Sequence, residues 1–297
     1  MARAGLRLAE NVDGPYFVDT SCIDCDLCRQ VAPRTFARSD RQAQSIVLRQ
    51  PEGEAERRRA AMALVACPTS SIGTTDKRGV DEASVAFPEP IDGAERDGVH
   101  FSGYASASSY GASSYFVRRA RGNFLVDSPR AAKPLLRRLE ALGGVRTMLL
   151  THRDDVADHA LFARTFAAER VLSTRDVGAG TREVETKLEG DAPVRLDDDL
   201  VAIPVPGHTR GSVAYLYRET YLFAGDHLWA DEDREGELDA GRSVCWYSWA
   251  EQTKSMERLL DFSFTWVLPG HGRRFRASSP EAMRSALLRL VARMKRG

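Results

Sequence analysis

The sequence predicts two domains of mixed α and β structure: a small α+β module, then a larger domain in which helices cover sheets. Three observations carry that expectation. The chain has 297 residues, more than one ordinary core and comfortable for two, since domains run about 100 to 200 residues. Four of its five cysteines fall between Cys22 and Cys67, while Cys245 stands alone. Five of its six histidines lie beyond residue 151, each in a short motif beside Asp, Gly or Pro.

The elements follow in order. From Tyr16 to about Ile72 short apolar segments alternate with the cysteine loop, and an Arg- and Ala-rich helical stretch, Ala55 to Val65, leads into Cys67. This places the first domain at 1–75. Residues 76–98 are rich in Gly, Pro and acidic side chains without helical or strand periodicity, which predicts a linker. Within 99–297, strand-like runs recur at Ser114–Arg118, Asn123–Asp127, Thr147–Leu150, Val201–Pro204, Ala214–Tyr217, Tyr221–Ala224 and Thr265–Leu268. Apolar residues spaced by three and four predict helices over Lys133–Ala141, Ala157–Ala168, Ala250–Leu260 and Pro280–Lys295. No internal repeat is visible, which sets solenoids aside.

Composition narrows the function. The 42 basic and 42 acidic residues cancel, so no strong global field draws nucleic acid or an anionic membrane to the protein. The first twenty residues lack the apolar block of a secretory signal, and no stretch approaches the roughly 20 apolar residues of a membrane span. The expectation is a cytoplasmic protein with a small-molecule substrate, no nucleic acid and no membrane; its oligomeric state is not legible.

Cys22, Cys25 and Cys28 recur at intervals of three, and Cys67-Pro68 is the one cysteine-proline pair. Three thiolates so spaced can curl around one face of a cubane, and the distant cysteine before proline can supply the fourth ligand. One [4Fe-4S] cluster is the economical reading. A four-cysteine zinc site is the alternative, although zinc ribbons prefer two separated C-x2-C pairs. The segment Tyr16–Ile72 resembles a bacterial-type single-cluster ferredoxin, which implies one-electron transfer or a purely structural cluster. The basic run Arg57-Arg58-Arg59 reads as a solvated helix face, with docking of an acidic redox partner protein as the alternative.

The second chemistry lies in four motifs: Thr151-His152-Arg153-Asp154-Asp155-Val156-Ala157-Asp158-His159, Pro206-Gly207-His208-Thr209-Arg210-Gly211-Ser212, Gly225-Asp226-His227 and Pro269-Gly270-His271-Gly272. Each follows an apolar strand, and imidazole with carboxylate suits Zn, Fe or Mn. In this order they resemble the metallo-β-lactamase fold family, an αββα sandwich that includes glyoxalase II hydrolases, persulfide dioxygenases and flavodiiron proteins. The resemblance spans about residues 99 to 275. It implies one or two divalent metal ions, the first held by His152, His208 and Asp226, the second by Asp158, His159, Asp226 and His271, with Asp226 bridging. It also implies that Asp127 supports the site from behind.

The motif departs from the family's His-x-His-x-Asp-His. Asp154 stands where the second histidine belongs, and two residues are inserted before Asp158-His159. Either Asp154 or Asp155 replaces the imidazole, or the first metal has lost a ligand; oxygen ligands would shift preference toward iron or manganese. Three functions follow. The first is a hydrolase of esters or thioesters in which a metal pair activates water and Asp158 orients it. The second is a non-haem iron redox enzyme, of persulfide dioxygenase or flavodiiron type, that receives electrons from the fused cluster. The third is a redox sensor with an impaired metal site. His227 reads as a pocket wall, Cys245 as a buried inert thiol, and His100 receives no role.

Overall fold

The computed structural model describes residues 2–296. The chain forms two compact units: residues up to Arg146 together with Ala157–Ala167, and Thr147–Val156 together with residues from Ala168 onward. No helix among the described residues is long and apolar enough to cross a membrane.

The first unit begins with the cysteine segment. Its elements are β1 (Tyr16–Val18), α1 (Leu27–Val31), β2 (Phe36–Arg38), β3 (Ser45–Val47), α2 (Gly53–Ala66) and β4 (Ile72–Thr74). Strand β1 pairs antiparallel with β4, and β2 with β3. Buried Asn11 ties these ribbons together: its Nδ2 donates to the carbonyls of Leu8 (2.7 Å) and Val18 (2.8 Å), while its Oδ1 accepts from the amides of Val18 (3.0 Å) and Val47 (2.9 Å). Both donors and both lone pairs of the side-chain amide are thereby used, as its burial demands. Helix α2 carries Glu54 and Glu56 in its first turn, where they complement the helix dipole. It buries Ala60, Ala61, Ala63 and Ala66, small side chains that let neighbouring backbone approach closely, and it stops at Cys67 because Pro68 cannot continue it.

The stretch expected as a linker is structured. Residues 76–98 hold α3 (Val80–Ser84) and β5 (Glu89–Pro90), and Phe87 is fully buried in edge contact with Phe101 and Tyr104. Its short elements escape periodicity because each is five residues or fewer. Strands β5, β6 (Val99–Phe101), β7 (Tyr115–Val117) and β8 (Phe124–Val126) pair antiparallel in sequence order. Helices α4 (Lys133–Ala141) and α5 (His159–Phe166) complete the unit. Arg59, expected on a solvated face, instead donates to the Val31 carbonyl at 2.7 Å and pairs with Glu89 at 2.6 Å.

The second unit holds three parallel strands, β9 (Thr147–Leu149), β10 (Glu169–Ser173) and β11 (Thr186–Leu188), with β10 between the others. It also holds a six-stranded sheet of β12 (Val194–Asp197), β13 (Leu200–Pro204), β14 (Val213–Tyr217), β15 (Tyr221–Gly225), β18 (Trp266–Pro269) and β19 (Phe275–Arg276), in that order. Only β15 and β18 run parallel there, and a small ribbon of β16 (Trp229–Ala230) and β17 (Leu238–Asp239) lies between them in sequence. Helix α6 (Trp249–Arg258) starts on Ser248, whose Oγ accepts from the Glu251 amide at 3.2 Å; α7 (Pro280–Met294) starts on Ser279 with Pro280 in its first turn. Met256 of α6 and Leu287 and Leu290 of α7 pack with Ile203, Leu216, Leu222 and Val267 of the sheet in one apolar core. Each such side chain, once buried, contributes roughly 1.5–3 kcal/mol. On the other face of β14 the Tyr215 hydroxyl donates to the Leu150 carbonyl at 3.0 Å, which anchors the end of β9 where the His152 loop begins.

Candidate metal centres

The cysteine centre is built by a loop whose backbone is forced into shape by paired charges. Asp24 and Asp26 both adopt positive φ, 57° and 63°, a conformation that Asp tolerates better than most residues. Arg29 holds them there, with Nη1 2.7 Å from Asp24 Oδ1 and Nε 2.5 Å from Asp26 Oδ1, and Arg38 adds a second clamp on Asp24 at 2.7 Å. Cys22, Cys25, Cys28 and Cys67 all line one cavity, with Pro68 and Ile72 among its walls. The Ser45 amide donates to Cys22 Sγ at 3.3 Å. Burial pushes the Cys25 thiol up to about 12 and raises Cys28 as well, because a thiolate there has lost water. Four sulfurs converging on one cavity fit a cubane, which would take all four as thiolates and supply the positive charge that burial denies them.

Gly111, from the later part of the same unit, packs against Cys25 and Pro68 of this cavity. Its φ is 85°, and a Cβ there would stand 2.6 Å from Cys25 Cβ and 2.9 Å from its Sγ, so no side chain is accommodated. Nearby, the Ala105 amide donates to the Ala66 carbonyl at 3.2 Å, and Arg130 Nη2 to the Val65 carbonyl at 3.2 Å.

The second unit gathers His152, Asp154, Asp155, His208, Asp226 and His271. His152 follows β9, His208 follows β13, Asp226 follows β15 and His271 follows β18. His152 Nε2 and His208 Nε2 stand 3.7 and 3.6 Å from Asp226 Oδ2, and 4.0 and 3.8 Å from Asp154 Oδ2. His271 Nε2 lies 3.9 Å from the same Asp226 oxygen. Ligands at 2.0–2.2 Å around a tetrahedral ion are separated by about 3.4 Å, so a contraction of a few tenths of an ångström would close this set.

The imidazoles are committed in one direction. His208 Nδ1 donates to the Val244 carbonyl at 2.6 Å, which can only accept, so Nε2 carries the lone pair. His152 Nδ1 is bonded to Thr151 Oγ1 at 3.0 Å. Both Nε2 atoms are buried and lack a hydrogen-bond partner, as does Asp226 Oδ1. Burial lowers the pKa of His152, favouring the neutral ring that a metal requires; Asp226 and Asp154 oppose this without reversing it. For Asp226 burial works upward, and the imidazoles of His271, His152 and His208 more than offset it, so the carboxylate is held ionised. Orphaned lone pairs facing carboxylates fit a divalent cation and have no other use among the described residues.

Two groups of donor atoms lie within 4.8 Å of one another: His152, Asp154 and His208, and His152, Asp155 and Asp226. Gly225 precedes Asp226 with φ 51°, and a Cβ there would meet Thr151 Oγ1 at 2.6 Å. Asp158 and His159 belong to the first unit: Asp158 precedes α5 and its Oδ2 accepts from the Ala131 amide at 2.8 Å, while His159 is buried in the first turn. Asp127, also of the first unit, is buried at the end of β8 with φ 56°.

One organising residue was not foreseen. Buried Asp176 accepts from Thr209 Oγ1 (2.5 Å), the Gly211 amide (2.9 Å) and the Arg153 amide (3.1 Å), joining the His152 loop to the His208 loop. Asp176 stands four residues beyond Leu172, in Ser173-Thr174-Arg175-Asp176, and nothing in that stretch marks it. His227 is fully buried, and its pKa is pushed down to about 3 by that burial and by His208. Cys245 is half-buried, not buried as expected, and donates to the Gly207 carbonyl at 3.1 Å. Beside it Trp246, 63% exposed, lies 6.2 Å from the His208 ring, and Tyr247 is exposed too.

Residues 18–74 match the family described as the 4Fe-4S single cluster domain of Ferredoxin I. The chain is 27% identical over 209 residues to the uncharacterized protein YobT of Bacillus subtilis, covering 58% of this chain and 88% of that one. It is 31% identical over 121 residues to a hydroxyacylglutathione hydrolase of Rhodospirillum rubrum, covering 39% of this chain and 47% of that one. The chain thus spans about half the length of that relative. Among solved structures it is similar to an archaeal metallo-β-lactamase superfamily protein of Sulfolobus tokodaii, with a TM-score of 0.45 and 18% identity over 65% of this chain and 85% of that one.

Proposed function

We propose that the protein is a metal-dependent hydrolase of the metallo-β-lactamase type, acting on an ester or thioester and carrying one [4Fe-4S] cluster on Cys22, Cys25, Cys28 and Cys67. One observation carries the hydrolase reading: His152 and His208 present buried, unpartnered Nε2 atoms to Asp226 and Asp154 while their Nδ1 atoms are tied back. The similarity to a hydroxyacylglutathione hydrolase supports a thioester as the substrate class. A divalent cation bound by these residues would act as a Lewis acid and make water a nucleophile near neutral pH.

The chain's own residues do the rest. Val244 and Thr151 fix the two rings, so Nε2 is the only atom either offers. Asp226, held ionised, contributes negative charge at the centre. Asp154, with 49% of its side chain exposed, is more open to solvent than the imidazoles and would orient the attacking water and take its proton. Trp246 offers the substrate's apolar portion a flat face beside His208.

A second reading is a non-haem iron redox enzyme fed by the cluster, and the oxygen-rich donor set favours it: Asp154, Asp155 and Asp226 accompany His152 and His208. Anaerobic purification, elemental analysis, Mössbauer spectroscopy and a thioester panel separate the two. Iron confined to one cubane, another metal in the second centre, and turnover abolished in His208→Ala support hydrolysis. Additional non-haem iron without thioester turnover overturns it.

A further inference from the structure

We propose that Asp155 is itself a metal ligand, so that the tandem Asp154-Asp155 gives the centre two carboxylates and makes it a site for manganese(II) or iron(II). This rests on the hydrolase reading and sharpens the identity of its metal.

Asp154 and Asp155 serve different corners of the cluster. Asp154 groups with His152 and His208, whereas Asp155 groups with His152 and Asp226. Their surroundings differ as well, since Asp155 is 2% exposed and the Asp154 side chain 49%. Val156 packs against the apolar cluster of Leu150, Leu172 and Val184, which pins the backbone next to Asp155 and keeps it turned inward.

Gly270 gives the independent sign. A Cβ at this position would stand 2.7 Å from Asp226 Oδ1 and 2.8 Å from Asp155 Oδ2. One missing methyl group therefore leaves room for two carboxylate oxygens on the same side of the chain. The His152 Nε2 lone pair, buried and without a hydrogen-bond partner, faces the same place. Three carboxylates beside the imidazoles of His152, His208 and His271 form a harder donor set than imidazoles alone. Such a set raises affinity for manganese(II) and iron(II) and narrows the usual advantage of zinc.

The test uses the full chain, cluster intact in its EPR-silent oxidised form and the second centre stripped by chelation. Manganese(II) is titrated in and followed by loss of the free-ion EPR signal; zinc is measured by competition. Asp155→Asn is expected to weaken manganese binding by at least the roughly tenfold lost when a mere supporting group is removed, to weaken zinc less, and to be rescued by Asp155→Glu. Unchanged manganese affinity in a folded Asp155→Asn protein overturns the proposal. Should that variant fail to fold, Gly270→Ala takes its place: weakened manganese binding is expected, and unchanged binding is again decisive against it. A wild-type protein that binds zinc but no manganese overturns this inference and leaves the hydrolase reading standing. One that binds neither removes both.

Discussion

Asp176→Asn tests whether the two histidine loops are held by one carboxylate. The substitution keeps shape and volume but replaces one acceptor oxygen with an NH2 group that must face donors. Asp176 now receives three hydrogen bonds, from Thr209 Oγ1, the Gly211 amide and the Arg153 amide, with two of them on one oxygen. Bonds to a charged group are each worth about 1.5–3 kcal/mol, and the amide can retain only those on its remaining oxygen. A loss of about 3 kcal/mol follows, which for a domain of this size lowers Tm by roughly 6–12 °C. The two loops carry His152 and His208, so a looser hinge between them should also weaken metal binding by roughly 10–100-fold. Circular dichroism melts of the metal-stripped protein, with cobalt(II) absorption spectra of the loaded protein, read the two effects separately. An unchanged melt would show that the Asp176 bonds contribute nothing, and an unchanged cobalt spectrum at lowered Tm would reduce Asp176 to a structural role without influence on ligand geometry.

Trp246→Ala should raise KM with little change in kcat, since the ring offers binding area beside His208 without touching a reacting atom; steady-state kinetics on an aryl or alkyl thioester checks this. Cluster assembly on the cysteines should accelerate with pH between 7 and 9: the Cys25 thiol is held up to about 12 by burial and must release its proton to iron, so the rate of reconstitution at fixed iron and sulfide should climb. A pH-independent rate would count against that. Glu185 is held down at about 2, chiefly by its hydrogen bonds with Arg170, below its ordinary 4.5. Its contribution is complete above pH 4.5 and disappears as pH falls toward 2. With the side chain 45% exposed, screening keeps the contribution below about 1 kcal/mol. Glu185→Gln should therefore flatten the acid limb of the stability curve by a small, measurable amount.

The long amphipathic helices were legible in the sequence because a single face decides them: α4, α6 and α7 begin and end within two residues of their expected bounds. The strands that became β13, β14, β15 and β18 were legible as apolar runs, since both of their faces are buried. Strands β10 and β11 were not, because Arg170 and Lys187 interrupt the apolar pattern. The four histidine motifs announced themselves by composition. Asp176 did not, because its partners lie 23 to 35 residues away and nothing in Thr174-Arg175-Asp176 records them. The question of which aspartate replaces the absent imidazole likewise depends on a glycine more than a hundred residues downstream.

Gly111 against Cys25 has a consequence for how long the iron-sulfur centre survives in air. Oxidants reach a cubane through whatever gap the surrounding chain leaves, and here part of that shield comes from a loop that the ferredoxin-like stretch does not contain. A fragment ending near residue 75 would keep Cys22, Cys25, Cys28 and Cys67 and still lose this cover. It would bleach faster under oxygen than the whole chain, so the lifetime of the cluster's colour reports whether a segment far outside the cysteine motif is folded.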